Sequence, residues 1–268
     1  MTVLAPSPSL FASKPLIIAA LHLPDLAVAR ETSMATLERY VLANAAVFNE
    51  AGIRNIMLQD MTRVPGLAAP DSIAVMAALG VMLRSNFPHI GLGIIFRAHD
   101  ACAPIAVAHA VGASFVRLKV FAGGVMTAAG PREALGTLAR SYRHDLRRDD
   151  IAILADVHDR TSAPLSSETD AQAAGWAVQL GADGLIVTGA SFEESLMKIR
   201  AVRSLGIKRP IFIGGGVTAE NVAAALSVAD GAIVSTSLMR PKTSPDDPIR
   251  WDVGRATELM RRVAEATP

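Results

Sequence analysis

Cysteine is nearly absent: Cys102 alone stands in 268 residues. No intramolecular disulfide framework is available, which fits a reducing cytoplasm and a buried, hydrophobe-like role for that one side chain. An excess of one charge is also lacking. The 26 Lys and Arg residues meet 25 Asp and Glu, for a formal net charge of +1, and the few aromatics (4%) do not interleave with basic clusters, so nucleic acid is not an expected partner. No apolar stretch reaches the roughly 18 uninterrupted residues that a membrane-spanning helix needs. The opening residues have no basic start and carry Pro6 and Pro8, which makes a poor signal peptide. Residues 1–14 read as an extended or disordered arm, ahead of one domain over residues 15–268.

What is present is apolar sequence, 51% of the chain, enough for one large core. Short Ile-, Val- and Leu-rich runs fall at residues 16–20, 55–58, 91–96, 115–120, 151–155, 184–187, 211–213 and 232–235. Several are nearly continuous, as in parallel strands covered on both faces. The longer stretches between them carry apolar residues at helical spacing, for example Leu37, Tyr40, Val41, Ala45 and Phe48. A junction recurs where helix gives way to strand, around Gly52, Gly112, Gly181 and Asp230, and the three glycines suit left-handed helix caps. Eight such units predict a single (β/α)₈ barrel, an α/β fold, with a last helix over about 250–264. An open doubly wound sheet is disfavoured, because eight strands is long for one and no Gly-x-Gly-x-x-Gly follows the first run.

In a barrel the chemistry sits where strands end. Those positions hold His22, Gln59, Asp60, Arg97, His99, Asp100, Arg117, Lys119, Asp156, His158, Thr188 and Gly189. Asp156 and His158 are two apart on an extended segment and are expected to point the same way, so that the carboxylate tunes the imidazole for proton transfer. A structural hydrogen-bonded pair is the alternative. Lys119 shares parity with Arg117 and has three possible roles: neutralising a substrate anion, forming a Schiff base, or pairing with Asp156. Arg97 suits a bidentate anion clamp or a helix-capping salt bridge. His22, Asp60, His99, Asp156 and His158 would suit a divalent metal by donor type, but no His-x-His, Cys-x-x-Cys or His-Glu-x-x-His element supports one, and no cofactor is required. His89, His109 and His144 read as surface residues, and Arg143, Arg147 and Arg148 as helix-end cations.

The run Ile211-Phe-Ile-Gly-Gly-Gly-Val-Thr218 reads as a phosphate cradle. Gly214, Gly215 and Gly216 let backbone amides approach an anion, and Thr218 caps the helix that follows. Ser235, Thr236 and Ser237 end the next apolar run and could complete the site at the ends of strands seven and eight. The polar, proline-rich segment 240–248 is either a lid or a lead into the last helix.

Together these residues resemble the BtpA/SgcQ family, barrel proteins similar to the ribulose-phosphate-binding barrels, from about residue 14 to the C-terminus. The resemblance rests on Lys14-Pro-Leu-Ile-Ile-Ala-Ala-Leu-His22, Arg97, Ile153-Leu-Ala-Asp-Val-His158 with Ala163-Pro-Leu165, and Leu185-Ile-Val-Thr-Gly189. It also rests on the glycine loop through Asn221 and on residues 229–238. Two departures mark the presumed pocket: Gln59-Asp60 stands where an acidic-Asn pair is expected, and Lys119 where Asn is expected. The expected activity is that of a cytoplasmic enzyme acting on a phosphorylated sugar or sugar acid, as an isomerase, epimerase or lyase. Its substrate would be a small phosphorylated molecule, and a homo-oligomer is permitted. The resemblance also implies an alternative, a non-catalytic factor in photosystem I biogenesis.

Overall fold

In the computed structural model of the chain, which describes residues 10–11, 14–64, 66–241, 244 and 247–267, eight parallel strands close into a barrel. They are β1 (Leu16–His22), β2 (Asn55–Gln59), β3 (Gly91–Ile95), β4 (Phe115–Leu118), β5 (Ala152–Val157), β6 (Gly184–Val187), β7 (Ile211–Ile213) and β8 (Gly231–Val234). Each expected apolar run overlaps one of these strands, and β8 pairs back onto β1. The helices among the described residues are α1 (Met34–Glu50), α2 (Pro70–Asn86), α3 (Ala103–Val111), α4 (Gly136–Asp145), α5 (Asp170–Gln179), α6 (Phe192–Ser204), α7 (Val222–Leu226) and α8 (Val253–Glu265). Gly52, Gly112 and Gly181 take positive φ of 86°, 68° and 97° just past α1, α3 and α5, as helix ends before a tight turn into a strand require.

Strand alternation sorts the core into two compartments. Ile17, Ala19, Leu21, Ile56, Leu58, Leu92 and Ile94 face outward onto the helices. Leu16, Ile18, Ala20, Met57, Ile95, Phe115, Leu154, Ile186, Phe212 and Ile233 fill the barrel itself. Phe115 takes so much of that interior that a Cβ on Gly93 would lie 2.1 Å from its ring; the glycine is the space the ring occupies. The expected arm lies outside the described residues except at Leu10, Phe11 and Lys14. There Leu10 is buried with the interior set, and the Phe11 ring stands 6.2 Å from that of Phe212, which closes the barrel at the ends where strands begin.

Two features were not expected from sequence. Between β4 and α4 the chain makes an antiparallel hairpin, Val125–Thr127 with Gly130–Arg132, and the first strand of it also pairs with Ala163–Pro164. Arg143 stands in the last turn of α4, as expected of a helix-end cation, but its burial was not foreseen. It is buried, and its Nη1 donates to the Ile151 carbonyl at 2.8 Å and to Asp183 Oδ2 at 2.5 Å. The same Asp183 oxygen accepts from the Ile153 amide at 2.9 Å, so the pair ties α4 to β5 and to the start of β6. Removing one partner strands a buried charge. Asp183→Ala is expected to lower stability by about 3–5 kcal/mol in urea unfolding, and Arg143→Ala by a similar amount; a loss below about 1 kcal/mol for either would show that solvent replaces the partner.

Candidate functional site

The same alternation that packs the interior carries polar side chains to the end of the barrel where strands finish. The inward set continues from Leu16, Ile18 and Ala20 to His22, from Met57 to Gln59, from Ile95 to Arg97, from Phe115 to Arg117 and Lys119, and from Leu154 to Asp156. Below these residues the barrel is apolar, and at them it becomes charged.

Arg117 and Asp156 form the joint between the two regions. Nε donates to Oδ1 at 2.9 Å and Nη2 to Oδ2 at 3.0 Å, a planar two-point pair, with both side chains largely buried. Burial pushes the Asp156 carboxyl above the ordinary carboxylate range, and the Arg117 guanidinium opposes that shift. Lys119 Nζ donates to Asp159 Oδ2 at 3.1 Å. Asp159 also accepts from the Thr161 hydroxyl, and although burial works against it, Lys119 and these hydrogen bonds hold its carboxyl below the usual range.

Two cavities open at this mouth. The first, about 410 Å³, lies over β3, β4 and β5 and is lined by Arg63, Arg97, Arg117, Lys119, Arg132, Asp100 and Asp159 among others. The hairpin supplies Arg132. The second, about 970 Å³, lies beside β1 and is lined by His22, Tyr40, Arg39, Arg250, Asp25 and Asp247 among others. Its wall is set by Asn44, a buried residue of α1 that donates to the Pro248 carbonyl at 2.8 Å and accepts from the Arg250 amide at 2.7 Å. The expected lid segment therefore contributes through Asp247 and Pro248, and Arg250 follows just beyond it; residues 242, 243, 245 and 246 of it lie outside the described residues. Burial first, then Arg117 and Arg97, brings the His22 imidazole down to about 4, so it is neutral near pH 7.

The expectation that Asp156 and His158 act side by side is corrected. His158 has φ +52°, which breaks the alternation one residue past β5 and turns its ring toward α5. Its Nδ1 lies 2.8 Å from Asp170 Oδ1, and its Nε2 is 3.5 Å from Glu168 Oε1. The pairing with Asp170 raises the His158 pKa against the effect of burial. Lys119 does not pair with Asp156 either, since Arg117 occupies both oxygens of that carboxylate. His158 and Asp156 line neither cavity.

The remaining expected residues divide in the same way. Lys119 and Arg97 line the first cavity, and His22 and Arg97 the second. Gln59 donates to Met61 Sδ at 3.3 Å. Asp60 is buried and accepts from the Thr62 amide and hydroxyl at 2.9 and 2.6 Å, and burial raises its pKa. Thr188 packs where a Cβ on Gly214 would sit, while the Gly189 amide donates to Ser195 Oγ at 2.8 Å. Gly216 has the positive φ of 76° that the cradle requires, and Asn221 braces the loop through the Thr218 amide and the Gly216 carbonyl. The helix that follows, α7, has five residues, and Ser235 is committed to the Ala20 carbonyl at 2.8 Å. The Ser237 hydroxyl is buried with no partner among the described residues, and Thr236 is exposed. Gly214, Gly215, Gly216, Ser235, Thr236 and Ser237 line neither cavity.

Among the described residues, no group of three or more His, Cys, Asp or Glu side chains is placed to hold a metal ion; Asp60, Asp156 and His158 each serve a different partner. Sequence reasoning passed over Arg63, Arg132 and Asp159 as site residues. Asp159 directly follows His158 and was readable as another strand-end carboxylate. Arg132 had no such signal, because its place depends on a hairpin outside the barrel repeat. His89, His109 and His144 meet Asn49, Arg148 and Asp149 at the surface, as expected.

A (β/α)₈ barrel with a cation-lined cavity at the C-terminal mouth of its strands is the class that fold and site define. The chain belongs to the BtpA family, which it matches over residues 12–265. It is 28% identical over 231 residues to the photosystem I biogenesis protein BtpA of Synechocystis sp., covering 84% of this chain and 79% of that one. It is 24% identical over 265 residues to an uncharacterized mitochondrial protein of Caenorhabditis elegans, covering 94% of each. Among solved structures, 3-keto-L-gulonate-6-phosphate decarboxylase from Vibrio cholerae superposes with a TM-score of 0.58 at 18% identity, over 96% of this chain and 100% of that one. Tryptophan synthase from M. tuberculosis does so with a TM-score of 0.63 at 14% identity, over 97% and 98%. At these identities the superpositions establish the barrel fold. No helix among the described residues is long and apolar enough to cross a membrane.

The two imidazoles should titrate on opposite sides of their ordinary 6.5. His158, raised by Asp170, contributes stability that is complete below 6.5 and is lost as pH rises through its folded value. His22, lowered to about 4, binds its proton more readily in the unfolded chain, so stability falls as pH drops from 6.5 toward 4. Histidine ring NMR titration should show His158 above 6.5 and shifted down by Asp170→Asn, with His22 unaffected by that change. A His158 value that ignores Asp170→Asn contradicts the assignment.

Proposed function

We propose that this chain is a cytoplasmic enzyme acting on a phosphorylated sugar or sugar acid, by isomerisation, epimerisation or carbon–carbon cleavage. The observation that carries the reading is the first cavity. Its five cationic side chains face two carboxylates, of which Asp100 is spent on the amides of Ala68, Cys102 and Ala103 and Asp159 on Lys119. Arg63, Arg97 and Arg132 have no ion pair among the described residues. Three unmatched guanidiniums in one recess favour an anionic ligand, and phosphate and carboxylate groups fit their paired donors.

In this reading Lys119, with its ammonium held by Asp159, stands where negative charge develops on a substrate carbonyl oxygen as a neighbouring proton or carbon is removed. Arg97 and Arg117 add fixed positive charge to the same space. Asp156 positions the Arg117 plane instead of moving a proton itself. His158 holds the loop after β5, and with it Asp159, against α5. The amides of Gly215 and Gly216, which have no partner among the described residues, serve as a second anion contact. A second reading, a partner-binding factor without catalysis, draws on the name of the Synechocystis relative alone.

A thermal-shift screen against matched sugars and sugar phosphates separates the two, because a ligand that binds only the native state raises its melting temperature. Stabilisation by phosphorylated compounds and not by the parent sugars is expected. With the stabilising compound as substrate, Lys119→Met should lower kcat by about a hundredfold or more, measured below a melting temperature that falls because Asp159 loses its partner. Equal stabilisation by sugars and their phosphates, or an active Lys119→Met variant, would sink the enzyme reading; co-sedimentation with membranes at high salt and no ligand response would support the partner-binding one.

A further inference from the structure

The two cavities at the mouth share two residues, Arg63 and Arg97. Every other lining residue belongs to one side alone. Neither guanidinium has an ion pair among the described residues, Arg97 is half-buried, and Arg63 is exposed on the segment that follows β2. The boundary between two recesses is thus marked by two unmatched positive charges.

We infer that Arg63 and Arg97 hold a bridging phosphoryl group of a two-part substrate, with one part in each cavity. A phosphate monoester continues on one side only. Seated at the boundary, it would fill one recess and leave the other to water. A phosphoryl linker carries a substituent on each side, as the placement of the two arginines requires. A pyrophosphate diester has two charges for two guanidiniums, and each guanidinium can present a pair of parallel donors to it. Volumes of about 410 and 970 Å³ each fall in the range of pockets that enclose small organic groups.

The linings differ in kind, so the two parts of the substrate differ as well. The first cavity adds Lys119, Arg117 and Arg132 and takes the more anionic or carbonyl-bearing part, where the proposed chemistry occurs. The second offers His22 and the hydroxyls of Thr32, Thr36 and Tyr40, and its own two arginines, Arg39 and Arg250, are balanced by two carboxylates, Asp25 and Asp247. Tyr40 donates its hydroxyl hydrogen to the His22 carbonyl at 2.9 Å, which leaves the oxygen as an acceptor. That recess takes a neutral part rich in hydroxyl or amide groups. The inference rests on the first cavity being the site of a phosphorylated substrate, and it narrows that class from sugar phosphates in general to phosphoryl-linked conjugates.

Isothermal titration of the full chain at constant ionic strength tests it, with UDP-glucose and ADP-ribose as probes set against their separate nucleotide and sugar-phosphate halves. At least one whole compound is expected to bind about tenfold or more tightly than either of its halves, since linked groups share one cost of association. Arg63→Gln and Arg97→Gln should each weaken the whole compound by about tenfold with the melting temperature of the free protein retained. Exposed Arg63 serves as the variant safest for folding. Arg132→Gln, confined to the first cavity, should weaken the half that enters there and the whole compound by the same factor. If halves bind as tightly as the whole compounds, or Arg63→Gln changes nothing, the bridging role is overturned while the sugar-phosphate reading stands. If neither whole compounds nor halves bind, both readings fall.

Discussion

Alternation along eight closed strands is the constraint on which the rest of this structure depends. Every second residue must point into a space about as wide as the side chains that fill it. The chain uses large apolar groups for most of that space, with Phe115 extending over Gly93 and Phe212 meeting Phe11 from the arm. Once that plug is complete, the next inward positions stand in a low-dielectric collar open to water on one side only. His22, Arg97, Arg117, Lys119 and Asp156 are placed there by the same two-residue step that buries Ile18, Ile95, Phe115 and Leu154. The site is a continuation of the core by other chemistry.

A charge in that collar is costly unless it is matched. Arg117 and Asp156 settle this with two parallel hydrogen bonds, and Lys119 and Asp159 with one. These pairs are close to neutral, and Arg97 in the collar, with Arg63 and Arg132 from segments outside the barrel strands, then brings a positive surplus. The fixed pairs shape the floor and the unmatched arginines supply the attraction. That division of labour separates the residues that orient from those that meet a ligand.

The fold was legible because the barrel is a repeat, and repeats announce themselves. Eight apolar runs, the amphipathic stretches between them and the glycines at helix ends carried the element count and order, since each of these signals is local. The hairpin over residues 125–132 was invisible for the matching reason. It is a short excursion without periodicity, and its first strand pairs with Ala163–Pro164, more than thirty residues further on. The burial of Arg143 was equally invisible, because it depends on Asp183, forty residues away.

The candidate site was legible as a set and illegible as a network. Strand-end position was enough to collect His22, Arg97, Lys119 and Asp156, because that position follows from register. Which carboxylate serves which cation depends on side-chain geometry between strands. It also depends on backbone events such as the positive φ of His158, which a histidine adopts only where its surroundings compensate. By itself the sequence determined the barrel, its helical caps and the list of polar residues at its mouth, through periodicity and chemistry confined to neighbours in the chain. The tertiary structure alone decided that Asp156 belongs to Arg117, Asp159 to Lys119 and His158 to Asp170, and that two arginines stand between two cavities. Those pairings are distances across the fold, and no pattern along the chain encodes them.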